Sequence, residues 1–69
     1  MLKDKIKECR IGLDLSQVQL ATNLGVSKQV VCDWEKGRAN PKIKHLVELA
    51  KLFNTTTDYL LGLGVGEDF

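Results

Sequence analysis

At 69 residues the chain is one small domain near the lower limit for a self-sufficient core, and its 43% apolar and 6% aromatic content is that of globular rather than disordered material. No apolar run approaches the roughly 20 residues of a membrane span, and the opening MLKDKIKECR is too charged for the apolar region of a signal sequence. A formal net charge of +1 does not by itself argue for a nucleic-acid partner, so the distribution of charge has to do so.

In chain order, the spacing predicts a first helix from Leu2 to Ile11, with Leu2, Ile6, Cys9 and Leu13 as its apolar stripe. Asp14 and Leu15 lead into Ser16, an N-cap for a second helix ending at Leu24. Ser27 caps a third helix in the same way, and Gly37 stops it. After the loop Gly37-Arg38-Ala39-Asn40-Pro41, a fourth helix is expected from Lys42 to Phe53, with Ile43, Leu46, Val47, Ala50 and Phe53 at helical spacing. Asn54 is a left-handed helix end, and Thr56 caps a short fifth helix through Leu61. Gly62, Gly64 and Gly66 open an acidic tail expected to fray. No alternating run bounded by turn residues signals a strand. The expected fold is all-α, a compact array of five helices.

Within this order, residues 17–36, QVQLATNLGVSKQVVCDWEK, form two short helical patterns joined by a tight turn. Ala21 is small where crossing helices come close, and Gly25 ends the first of the pair where positive φ is needed. Leu20, Leu24, Val26, Val31 and Trp34 supply the buried faces. This is a helix-turn-helix signature, and it leaves the outward side of the second helix free to enter a DNA major groove.

On that third helix, Lys28, Gln29, Cys32, Asp33 and Lys36 share one side, while Val31, Trp34 and Glu35 turn inward. An amide such as Gln29 can bond an adenine edge through two hydrogen bonds, and Lys28 can donate to guanine or to a phosphate. Asp33 can accept from a cytosine amine, and Cys32 can lie against a thymine methyl; the bland alternative for all four is a solvated helix face. Gln17 opens the second helix, where free N–H groups and the helix dipole favour a phosphate. Ser27, at the start of the third, is a further phosphate candidate, as are Arg38, Asn40, Lys42 and Lys44 in and after the loop. Charge is polarised to match: residues 27–44 hold five bases against two acids, whereas residues 58–69 hold three acids and no base. Arg10 and Glu35 each follow a core position, and an ion pair between them would satisfy two otherwise awkward charges.

Catalysis finds no footing. Cys9, Cys32 and the lone His45 lack metal-ligand spacing, no glycine loop precedes a helix to cradle a phosphate, and no metal or cofactor is expected. Cys9 reads as a small core residue. The two cysteines read as reduced thiols, which with the absence of a signal sequence implies a cytoplasmic protein.

These residues resemble the phage repressor and Cro-like family of helix-turn-helix regulators, the xenobiotic-response-element type. The likeness runs from Ile6 to Gly62, through LSQVQLATNLGVSKQVVCDWEKGRANP and then LVELAKLFNTTTDYLLG. It implies a five-helix, lambda-repressor-like domain that binds double-stranded operator DNA, commonly as a two-fold homodimer. It carries phosphate contact onto Gln17, base contact onto Lys28, Gln29 and Asp33, and backbone contact onto Lys36, Arg38 and Asn40. It also supports pairing Arg10 with Glu35. Three positions depart from the family's pattern: Asp33, where members often have a neutral or basic side chain; Lys42, where a Ser or Thr cap is usual; and Thr55, where an apolar residue is usual.

The expectation is a ligand-free transcriptional regulator, a repressor, with residues 1–62 as the DNA-binding domain and 63–69 as a flexible acidic tail. Leu52, Tyr59, Leu61, Leu63 and Val65 are candidates for the homodimer contact, against a monomer core that uses them itself. A module for a protein partner, such as the antitoxin of a toxin pair or an antirepressor, is the alternative from another class. Near-neutral charge and Asp33 on the groove face favour it.

Overall fold

A computed structural model describes residues 2–62; the tail from residue 63, with the candidate dimer residues Leu63 and Val65, lies outside the described residues. Five α-helices, α1 (Leu2–Gly12), α2 (Gln17–Leu24), α3 (Lys28–Lys36), α4 (Ile43–Leu52) and α5 (Thr57–Leu61), make up the regular structure, with no strand among the described residues.

Local chemistry sets the boundaries. Ser16 Oγ accepts from the Gln19 N–H at 3.0 Å while Gln19 Oε1 accepts from the Ser16 N–H at 2.8 Å, closing a reciprocal cap at the start of α2. Ser27 and Thr56 accept from the N–H groups of Val30 and Tyr59, so α3 and α5 begin on hydroxyl caps. Lys42 takes the cap position of α4 without a side-chain hydrogen bond, because an ammonium group has nothing with which to accept from a helix N–H.

Four helix ends close in one way. The backbone turns left-handed at Asp14 (φ 58°), Gly25 (71°), Gly37 (77°) and Asn54 (55°). The next residue then donates its N–H five positions back: Leu15 to Arg10, Val26 to Ala21, Arg38 to Asp33 and Thr55 to Ala50, at 2.8–3.1 Å. Glycine meets no steric penalty there. The short polar side chains of Asp14 and Asn54 tolerate it.

The core joins Ile6 of α1, Leu20 and Ala21 of α2, Val31 and Trp34 of α3, Leu46, Leu49 and Ala50 of α4, and Leu60 of α5. α3 packs against both α1 and α2, with Ala21 buried beside it. Leu24, Val26, Cys9, Leu52 and Phe53 line the margin of this cluster.

Two apolar expectations are corrected. Leu13 lies past the end of α1 and is 49% exposed, because the chain leaves the helix at Gly12 to reach the left-handed Asp14. On α4 the inward stripe is Leu46, Leu49 and Ala50, while Ile43 is 80% and Val47 37% exposed. Ile43 occupies the first turn and its Cβ is tilted toward the helix start, so its side chain projects past the end of the core. Val47 belongs to the neighbouring row, and the i, i+3, i+4 stripe through Leu46 excludes it.

Candidate nucleic-acid interface

The site begins with what fixes α3. Glu35, at 4% side-chain exposure, receives Arg10 Nε at 2.6 Å on Oε2 and Arg10 Nη2 at 3.1 Å on Oε1. Gln17 Nε2 donates to the same Oε1 at 3.1 Å, and Arg10 Nη1 donates to the Leu15 carbonyl at 2.7 Å. The Glu35 carboxylate therefore joins α3 to α1 and to the first residue of α2, and Arg10 extends the tie to the loop before α2. The bidentate geometry fixes orientation as well as distance. Arg10 itself is 12% exposed, so the pair sits at the edge of the core, with three of the five guanidinium N–H groups bonded within the protein. The tie from Gln17 to Glu35 is not visible in sequence, where Gln17 stands out only as the first residue of a helix. One N–H of its amide is taken by this bond.

With Val31, Trp34 and Glu35 facing in, α3 turns Lys28, Gln29 and Lys36 to solvent, and Cys32 and Asp33 stand half-buried beside them. Asp33 is engaged on this face: its Oδ1 accepts from Gln29 Nε2 at 2.9 Å and lies 3.6 Å from Arg38 Nη1. The Gln29 amide keeps its carbonyl and one N–H, the two groups an adenine edge requires. Arg38 is largely exposed, so the longer ion pair contributes little stability. Its consequence is positional, drawing the guanidinium toward the end of α3.

Ser27 Oγ accepts from the Val30 N–H at the cap of α3, which leaves its O–H able to donate. Arg38 and Asn40 follow α3 in an exposed loop, and Lys42 and Lys44 are exposed where α4 begins. Along the chain from Lys36 to Lys44 every charged residue is therefore basic and exposed. Lys3, which its place on the polar side of the first helix marks only as a water-facing side chain, lays its stem against Gly37 at the end of α3.

Other titratable groups lie elsewhere. His45 stacks obliquely on Trp34, with ring centroids 5.7 Å apart, and its buried Nδ1 has no hydrogen-bond partner. Burial above all, with help from Glu8 and against the effect of Lys5, pushes the Cys9 thiol above its ordinary pKa. Among the described residues no three metal-ligating side chains cluster, and no helix is long and apolar enough to cross a membrane. Of the candidate dimer residues, Leu52 packs partly into the chain's own core. Tyr59 and Leu61 are exposed, and the Lys5 ammonium sits 4.7 Å from the Tyr59 ring centroid.

Residues 6–60 match the sequence profile of the family described as Helix-turn-helix. The chain belongs to this helix-turn-helix family. Its type is that of the phage repressors and Cro. Among curated relatives of this helix-turn-helix domain is the transcriptional activator BcrR of Enterococcus faecalis, 38% identical over 58 residues. Another is the cryptic phage CTXphi transcriptional repressor RstR of Vibrio cholerae, 36% identical over 53 residues. The alignments cover 84% and 77% of this chain but only 28% and 48% of those proteins. Among solved structures, the P22 c2 repressor in complex with a synthetic operator superposes with a TM-score of 0.82 at 28% identity, covering 87% of this chain and 91% of that one. The all-α, five-helix architecture expected from the sequence is the one that this repressor domain shares.

Proposed function

We propose that the chain is a sequence-specific DNA-binding transcriptional regulator, a repressor, that seats α3 in the major groove of a duplex operator. One observation carries this reading. The outward face of α3 is held in place through the Glu35 network, and the chain that follows it carries exposed Arg38, Asn40, Lys42 and Lys44 with no acid among them. In this reading Lys28 and Gln29 touch base edges, with Cys32 against a thymine methyl and Asp33 at the same level. Gln17, Ser27, Lys36, Arg38, Asn40, Lys42 and Lys44 contact phosphates on either side and fix register without reading sequence.

The likeness to a repressor held on an operator supports the DNA reading, and relatives include both an activator and a repressor. Repression follows from occupancy alone: a domain over the operator blocks polymerase without needing a surface to recruit it. A two-fold homodimer would place two copies of α3 in successive major grooves about 34 Å apart. Tyr59 and Leu61, both exposed on α5, are its proposed contact.

Selection from a random duplex pool, followed by binding at several salt concentrations, tests the proposal. A palindromic consensus with half-sites one helical turn apart and a steep loss of affinity with salt is the expected result. No enrichment would move the assignment to a protein-binding module such as an antitoxin or antirepressor. That alternative drew on Asp33 as an acid on the groove face. With its carboxylate occupied by Gln29 and Arg38, the support it draws from Asp33 is weaker.

A further inference from the structure

We infer that the cleft between the start of α1 and the end of α3 is a seat for a DNA backbone phosphodiester, with Lys3 extending the interface onto α1. This rests on the DNA-binding reading above. The cleft has a volume of ≈ 280 Å³ and is lined by Leu2, Lys3, Lys36, Gly37 and Asn40. Two lysines and an asparagine line it, and no acid does. The acid in the first turn of α1, Asp4, lines a separate cleft with Lys7, Glu8 and Ile11. Among the described residues neither Lys3 nor Lys36 is paired with a carboxylate.

The fold holds Lys3 at this place. Its Cδ lies 3.2 Å, and its Nζ 3.9 Å, from where a Cβ on Gly37 would sit. The glycine that lets the chain turn left-handed at the end of α3 thus also leaves room for the lysine stem. Leu2 opens α1, so the first-turn N–H groups, which have no intrahelical acceptor, and the positive end of the helix dipole lie by the same cleft. Lys36 and Asn40 already belong to the basic row proposed to follow the DNA backbone. The cleft therefore shares two residues with that row, and a duplex gripped by them would bring a phosphate within reach of it. Sequence alone gives no sign of this, since a lysine in a first helical turn reads as a solvated side chain.

The test is the salt dependence of binding to the selected duplex for the parent chain, Lys3→Gln, Lys3→Arg and Lys7→Gln. Lys7 is the control, one turn along α1 in the other cleft. A single phosphate contact contributes about 0.9 to the slope of log affinity against log salt. The slope for Lys3→Gln is expected to be smaller by about 0.9 per protomer, so a fourfold rise in salt costs the parent about 3.5-fold more affinity per protomer than the variant. Lys3→Arg and Lys7→Gln should keep the parental slope. A parental slope in Lys3→Gln, or an equal fall in Lys7→Gln, overturns the inference while leaving DNA binding intact. A parent chain that binds no duplex overturns the DNA reading and this inference with it. Inorganic phosphate, titrated without DNA and followed at the backbone amides of Lys3 and Gly37, separates the two sources of the anion. Tight saturation there, with an unchanged DNA slope in Lys3→Gln, would assign the cleft to a free phosphate instead.

Discussion

Removing Arg10 leaves the Glu35 carboxylate 4% exposed with the Gln17 amide as its remaining side-chain partner. Stripping one partner from a buried pair costs on the order of 3–5 kcal/mol, whereas a domain of this size has about 3–10 kcal/mol of stability in all. Arg10→Met is therefore expected to lose most of the folding free energy. At about 4–8 °C per kcal/mol, that is a fall in Tm of at least about 12 °C. The double replacement Arg10→Met, Glu35→Leu removes the orphaned charge with its partner and should recover about 2 kcal/mol or more of that loss. Urea unfolding of the parent, both single variants and the double closes the cycle. Trp34, the chain's one tryptophan and 4% exposed, reports unfolding by its fluorescence. If the single variants prove too unstable to measure, Glu35→Gln keeps the shape and removes the charge, and its cycle with Arg10→Met gives the same comparison. Losses that add within about 0.5 kcal/mol would refute the reasoning, because independent sites behave that way and a shared carboxylate does not.

Gly25→Ala is expected to cost about 1–2 kcal/mol in urea unfolding: φ is 71° and a Cβ there would meet nothing within 4 Å, so the whole loss is conformational. Ser16→Ala, which removes one arm of the reciprocal cap on α2, should cost about 1 kcal/mol by the same measurement. Asp33→Ala should relax discrimination at the base read by Gln29 by about 1–3 kcal/mol, measured on singly substituted duplexes, while Asp33→Asn, which keeps an acceptor oxygen, should retain it; equal relaxation in both would remove Asp33 from the role of orienting Gln29. The raised Cys9 thiol pKa contributes stability that is fully present below the ordinary value of 9.0 and is lost as pH rises through the raised one. The parent should therefore lose stability relative to Cys9→Ala across that alkaline window, and parallel pH profiles would contradict it.

Helix ends were legible because their chemistry is local. Ser16, Ser27 and Thr56 cap where a hydroxyl precedes an apolar periodic run, and Gly25, Gly37 and Asn54 take the left-handed positions that their side chains allow. The meeting of Arg10 with Glu35 could be read because each charge follows a core position. The facing of α4 could not. Ile43, Leu46, Val47, Leu49, Ala50, Leu52 and Phe53 surround much of its circumference, so two rows satisfy the helical period. The choice between them is made by where α2 and α5 stand. In α5, Leu60 is buried and Leu61 is exposed. Lys3 and Gln17 were opaque for a related reason: what each touches lies on α3, far along the chain, and nothing in their own neighbourhood marks it.

Each change of direction at those four left-handed closures is specified within six consecutive residues. A topology dominated by such near-neighbour contacts folds within about microseconds to milliseconds. Reclosing then outpaces most proteolytic cleavage, so degradation tracks the equilibrium population of the open chain rather than the rate of opening. Any partner that binds only the closed form lowers that population by mass action. Under the function proposed, molecules seated on a duplex would outlive free ones, and the number of available sites would help set how much of the protein persists.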